Sequence, residues 1–113
     1  MKYSGFTLRN ERYIIAIEVI EQTSKLCQRH KEEALSAIKA IHSLGVIHND
    51  IRESNFIVGK SIDENDNEER LFIINFQSSK DFKEEQRVQL TSYHIYMEKE
   101  KEKVEELFNQ LPN

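Results

Sequence analysis

Hydrophobic positions along this chain fall into blocks that alternate with polar stretches. The first block, Tyr13-Ile14-Ile15-Ala16-Ile17-Glu18-Val19-Ile20, is rich in β-branched residues. An apolar run of this kind predicts a strand covered on both faces. Polar residues follow from Glu21 to Lys25. Over 32–44 the spacing becomes helical: Leu35, Ile38 and Ile41 or His42 recur every three or four residues, and Ala34, Ala37 and Ala40 add helix propensity. Gly45 is placed to stop that helix in a left-handed C-terminal cap. Two short apolar stretches, Val46-Ile47 and Phe56-Ile57-Val58, flank a polar loop. An acidic connection over 59–70, with turn formers Asp63, Asn65, Asp66 and Asn67, leads to another buried-type strand, Leu71-Phe72-Ile73-Ile74. The pattern predicts a hairpin pairing 56–58 with 71–74, with the 31–44 helix beside it.

After Phe76 the pattern loosens, and 78–93 carries no clear period. A last helix is predicted over 95–111, with Met97, Val104, Leu107, Phe108 and Leu111 along its buried side. Its charges, arranged as Glu98–Lys101, Glu100–Lys103 and Lys101–Glu105, read as a solvated face in which each pair contributes only ~0.2–0.5 kcal/mol. Strands and helices in this order predict an α+β fold, and with neither an internal repeat nor a Gly/Ser-rich linker the 113 residues read as one domain.

Composition narrows the function classes. Hydrophobic residues are 38% and charged residues 32%, which predicts a small core with long solvated segments. The net charge is −4 and no long basic stripe is present, so nucleic acid is not an expected partner. The sequence has no signal-peptide pattern at its start and no apolar run near the ~20 residues of a membrane helix, so no membrane association and an intracellular location, cytoplasm or nucleus, are expected. Cys27 is the only cysteine, which excludes an internal disulfide and a Cys-rich metal site. His30 lies three residues away, yet no third group suggests itself to orient a catalytic Cys–His pair, and a structural thiol is expected. The acidic segment 62–69 lacks the glycine and distal glutamate of a calcium loop and is expected to be mobile.

The segment that carries chemistry is His48-Asn49-Asp50-Ile51-Arg52-Glu53-Ser54-Asn55. It resembles the catalytic loop of protein kinases, His-Arg-Asp-Leu-x-x-x-Asn. The approach to it, Ile41-His42-Ser43-Leu44-Gly45-Val46-Ile47, is similar to that family as well. Ile73-Ile74-Asn75-Phe76-Gln77 resembles the strand and Asp-Phe-Gly turn that follow, and 13–21 looks like the strand leading to the hinge. The resemblance spans 12–79 and leaves 80–113 as a divergent tail with a C-terminal helix. It implies a single, incomplete protein-kinase-like domain: the helix, catalytic loop and hairpin of the large lobe.

The resemblance also implies roles. Asp50 would accept the proton of a substrate hydroxyl, and Arg52, at the position of the loop lysine, would neutralise charge on the transferred phosphate. His48 would be structural, packing under the loop. Asn55 and Asn75 would be the metal-binding positions in a degenerate form, serving ATP and Mg²⁺, and no nucleotide-contacting residue is assigned. Three departures weaken this. Asn49 replaces the arginine that engages a phosphorylated activation loop. Asn75 replaces the metal-binding aspartate, a loss of about 3–4 kcal/mol of transition-state stabilisation, or about 10²–10³ in rate, if nothing recovers it. Gln77 replaces the glycine of the turn. With glycine only at 5, 45 and 59, a Gly-rich phosphate loop is not expected, nor is the strand bearing the nucleotide-binding lysine. The expected function is therefore a protein-kinase-family phosphotransferase domain, truncated and catalytically impaired, whose ATP and Mg²⁺ binding is compromised. The alternative is a non-catalytic, pseudokinase-type interaction module. A protein partner or a separately supplied small lobe is the expected associate.

Overall fold

The computed structural model describes the backbone of residues 2–9, 12–61, 68–81 and 90–113, with side chains over 20–61, 68–81 and 92–113. It is an α+β arrangement of two helices and two antiparallel sheets. In chain order the elements are β1 (Lys2–Arg9), β2 (Arg12–Ser24), a 3-10 turn (Gln28–His30), α1 (Lys31–Ser43), β3 (Val46–Ile47), β4 (Phe56–Ser61), β5 (Arg70–Ile74), β6 (Lys80–Asp81) and α2 (Leu90–Asn109).

β4 and β5 form the expected hairpin, with Phe56 opposite Ile73, Ile57 opposite Phe72 and Val58 opposite Leu71. Side chains alternate across a strand, so this register sends them to two different cores. Phe56, Val58, Leu71 and Ile73 join Leu35, Ile38 and Ile41 of α1, Val104 and Phe108 of α2, and Leu111 just after it. Ile57, Phe72 and Ile74 point the other way and cluster with Ile20. Burial on both faces explains why these strands are continuous apolar runs rather than alternating ones. The Phe56 and Phe108 rings meet edge to face at 5.4 Å, joining the hairpin to α2.

β1 was not legible as a strand from its own residues. It pairs along its length with β2, from Lys2 opposite Val19 to Arg9 opposite Arg12, and also meets β5 through Gly5–Ile74 and Phe6–Ile73. β2 runs further than its apolar block, to Ser24, because its polar end pairs with β4. The strands therefore close into a ring in the order β1-β2-β4-β5.

α1 ends as its sequence predicts: Gly45 has φ 83°, and its N–H donates to the His42 carbonyl. Ala34, Ala37 and Ala40 are buried, so these residues supply close packing in addition to propensity. The Glu33 carboxylate accepts the Leu71 N–H at 2.6 Å and ties the start of α1 to β5. α2 begins at Leu90, earlier than the apolar spacing suggested, and belongs to the same core as α1. The chain end is fastened beside α1: Gln28 N–H donates to the Pro112 carbonyl at 3.0 Å, and Gln28 Nε2 to the Asn109 carbonyl at 2.9 Å. Among the described residues, no helix is long and apolar enough to cross a membrane. Positions 62–67 of the acidic connection lie outside the described residues.

Gly59 sits where β2 crosses β4 at an irregular register. A Cβ there would stand 2.1 Å from the Glu21 carbonyl oxygen, a backbone atom that cannot step aside. Gly59→Ala is expected to destabilise the fold by about 1–3 kcal/mol, since overpacking must be relieved by backbone movement. Urea denaturation gives the measure, and an unchanged midpoint would show that the strands separate freely there.

Candidate functional site

The loop 48–55 is held at both ends by strands. β3 precedes it and pairs with β6, Val46 opposite Asp81 and Ile47 opposite Lys80. β4 follows it and pairs with β5, whose end leads through Asn75 and a 3-10 turn, Phe76–Ser78, back to β6. This circuit sets the loop beside the segment around Asn75.

His48 is fully buried. Its Nε2 lies 2.9 Å from the Ile74 carbonyl, which can only accept, so the ring proton is on Nε2. Nδ1 then accepts the Asp50 N–H at 3.3 Å. The Phe76 ring packs edge-on against the imidazole at 4.8 Å. His48 therefore sits under the loop and joins it to the end of β5.

Asp50, Arg52 and Asn55 come together. Arg52 Nε donates to Asp50 Oδ1 at 2.8 Å, and Asn55 Nδ2 donates to the Asp50 carbonyl at 2.7 Å and to Oδ2 at 3.1 Å. Asn55 is buried, Asp50 is half-buried and Arg52 is exposed. Asn75 is exposed on the turn after Ile74, and among the described residues no hydrogen bond joins it to Asp50 or Asn55. Its backbone is left-handed, with φ 64° and ψ 71°. Asn49 is the other non-glycine residue with positive φ, at 69°. Asparagine adopts this conformation more readily than most side chains. The bend expected of a glycine at position 77 is thus made at Asn75 instead. Asn49 Nδ2 also donates to the Ser78 carbonyl at 3.2 Å and links the two segments.

The residue that organises the loop, Glu100 on α2, was read from sequence as part of an exposed charge run. That reading is corrected here: Glu98 pairs with Lys101 at 2.6 Å, but Glu100 is only 4% exposed. Its Oε1 accepts His42 Nε2 at 2.9 Å and His48 N–H at 3.0 Å, and its Oε2 accepts Asn49 N–H at 2.8 Å. Two successive backbone N–H groups, those of His48 and Asn49, thus face one carboxylate. Burial pushes the Glu100 carboxyl up, but the hydrogen bonds from His42, Asn49 and His48 together outweigh it and hold the carboxyl below its ordinary value of 4.5. Tyr93, also on α2, donates its hydroxyl to the His42 carbonyl. Burial foremost, then the Glu100 and Asp81 charges, raises that phenol. The sequence signal for Glu100 is its place on the apolar seam that runs through Met97, Val104 and Leu111.

Beside the loop is a cavity of about 880 Å³ that sequence reasoning did not place. Gln22, Lys25, Arg52, Glu53 and Ser54 give it a polar rim, and Leu26, Phe56, Ile57 and Pro112 give it apolar walls. Arg52 belongs to both the cavity and the Asp50 cluster. Cys27 lies near its edge in the chain and is half-buried. The Cys27 N–H donates to His30 Nδ1 at 3.1 Å, and Sγ lies 3.5 Å from the same nitrogen. The pair therefore caps the 3-10 turn before α1, as a structural thiol would.

The residues at the loop do not fit a magnesium ion. Both Asp50 oxygens already hold side-chain donors, one of them a guanidinium, and the remaining candidates are neutral amides. Among the described residues no three His, Cys, Asp or Glu side chains are grouped to hold a metal. No family model matches the sequence, and no curated protein or solved structure matches it.

Glu100 makes stability pH-dependent. A lowered folded-state pKa contributes stability that is fully present above the unfolded value near 4.5 and is lost as pH falls through the folded-state value. Glu100→Ala is expected to cost about 3–5 kcal/mol, because it leaves buried donors without an acceptor. Urea midpoints measured from neutral pH down through pH ~4 should fall in the parent and change less in the variant; parallel curves would assign the acid sensitivity elsewhere.

Proposed function

We propose that this chain is a protein-kinase-like domain that keeps the catalytic loop but is impaired in phosphotransfer. The observation that carries this reading is the closed arrangement of Asp50, Arg52 and Asn55 at the spacing the resemblance requires, over a buried His48 and beside the cavity. A general base must reach the proton it removes. Asp50, half-buried and fastened by two donors, has the position of such a base with its carboxylate already engaged. Asn75 adds no charge, so negative charge for a metal–phosphate group is short by at least one carboxylate.

An interaction module is the second reading, and one feature favours it. Ile95 and Tyr96 on α2 are 50% and 48% exposed, an apolar pair facing away from the core. A protein partner fits there without any use of the loop.

The reading is tested by transfer of radiolabelled phosphate from ATP to a generic protein substrate and to the chain itself, with Asp50→Ala as the control. No signal above the control is expected. Asn75→Asp alone should leave this unchanged, because Asp50 remains occupied by Arg52 and Asn55. Transfer above the control in the parent chain would assign an active phosphotransferase instead.

A further inference from the structure

The Asp50–Arg52 pair, taken from the kinase-like reading of the loop, limits what the neighbouring cavity accepts. A divalent cation needs free carboxylate oxygens and an absence of like charge. Asp50 offers neither. Its Oδ1 holds Arg52 Nε at 2.8 Å and its Oδ2 holds Asn55 Nδ2 at 3.1 Å. Asn55 does not swing away freely, being 4% exposed and bonded a second time to the Asp50 carbonyl. The Arg52 guanidinium is a cation. It stands where a metal would otherwise meet the carboxylate.

The same side chain lines the cavity, 66% exposed, and Lys25 adds a second cation to the rim. Glu53 is the one carboxylate in that lining, and Asp50 on the Nε side of Arg52 balances the remaining charge, so attraction for an oxyanion comes from the exposed guanidinium edge and Lys25 rather than from a net charge. Leu26 and Ile57 supply apolar wall, and 880 Å³ accommodates a ligand up to mononucleotide size. With Nε on Asp50, the two terminal nitrogens of Arg52 remain available to a second oxyanion, and a planar fork suits a phosphate monoester.

We propose that this cavity binds an aryl or nucleoside phosphate monoester directly through Arg52 and Lys25, with the guanidinium in the place of a divalent metal. Binding then needs no metal. Magnesium in solution competes, because it occupies the ligand's phosphate oxygens and carries positive charge toward Arg52.

The test is isothermal titration of the full chain with phenyl phosphate, AMP and ATP, each in EDTA and in millimolar magnesium. Phenyl phosphate and AMP are expected to bind in EDTA, with no tightening by magnesium. Arg52→Ala should weaken that binding roughly tenfold or more, the worth of a charge-assisted contact, and Arg52→Lys should keep part of it. Arg52 is largely outside the core, so circular dichroism should show both variants folded. Binding of phenyl phosphate with refusal of both nucleotides supports the metal-free site and removes the kinase-like reading. Tightening by magnesium overturns the inference and leaves that reading in place. Absence of any binding in EDTA, or binding indifferent to Arg52→Ala, also overturns it.

Discussion

One buried carboxylate holds the loop where it is. Burying a charge is costly unless hydrogen bonds replace the lost water, and Glu100 meets that condition with three donors from two separate segments. Through His42 it grips the last turn of α1. Through the His48 and Asn49 amides it fixes the first peptides of the loop. Tyr93 fastens α2 to the same turn of α1, so helix and loop share a single anchor. The downstream geometry follows from those fixed peptides: His48 is aimed at the Ile74 carbonyl, and the Asp50 N–H reaches back to its ring. Asparagine at 49 serves the position in a second way, since its side chain donates to the Ser78 carbonyl while its backbone turns left-handed.

Much of the scaffold was readable because it depends on periodicity. Leu35, Ile38 and Ile41 declared α1, Gly45 declared its end, and the two apolar runs declared the β4–β5 hairpin. The resemblance put Asp50 and Asn55 in one loop as base and metal ligand, but the hydrogen bonds between them were not readable. Glu100 was not, because an acid three residues before a lysine on a helix is equally compatible with a solvated pair. What decides its role is a pair of backbone N–H groups some fifty residues earlier, and that is a tertiary fact. β1 escaped notice for a similar reason. Its residues do not alternate clearly, and it is a strand because β2 and β5 both pair with it. The cavity, too, is assembled from β2, the loop and the chain end, segments whose approach no local pattern records.

The hairpin carries two loads at once. Its α-facing side joins both helices in the larger core, while its other side joins Ile20 in the smaller one. Because Ile74 is the last residue of that hairpin and also the acceptor for His48, the position of the loop is set by both cores. A change in packing on either face of β5 is transmitted to the loop through one imidazole. The Glu100 anchor and the Ile74 anchor act on opposite ends of the same residue, its backbone and its ring.

The closed ring of β1, β2, β4 and β5 constrains how this protein can meet others. An open sheet edge presents a row of unsatisfied N–H and C=O groups and recruits extended peptides as added strands. Here β1 fills the gap between β2 and β5, so strand addition to that sheet is closed off. The remaining sheet, β3 with β6, has two residues on each strand, too short to grip a peptide by its backbone alone. Among the described residues, then, neither sheet presents a long open edge on which the main chain of another protein could be added without regard to its sequence.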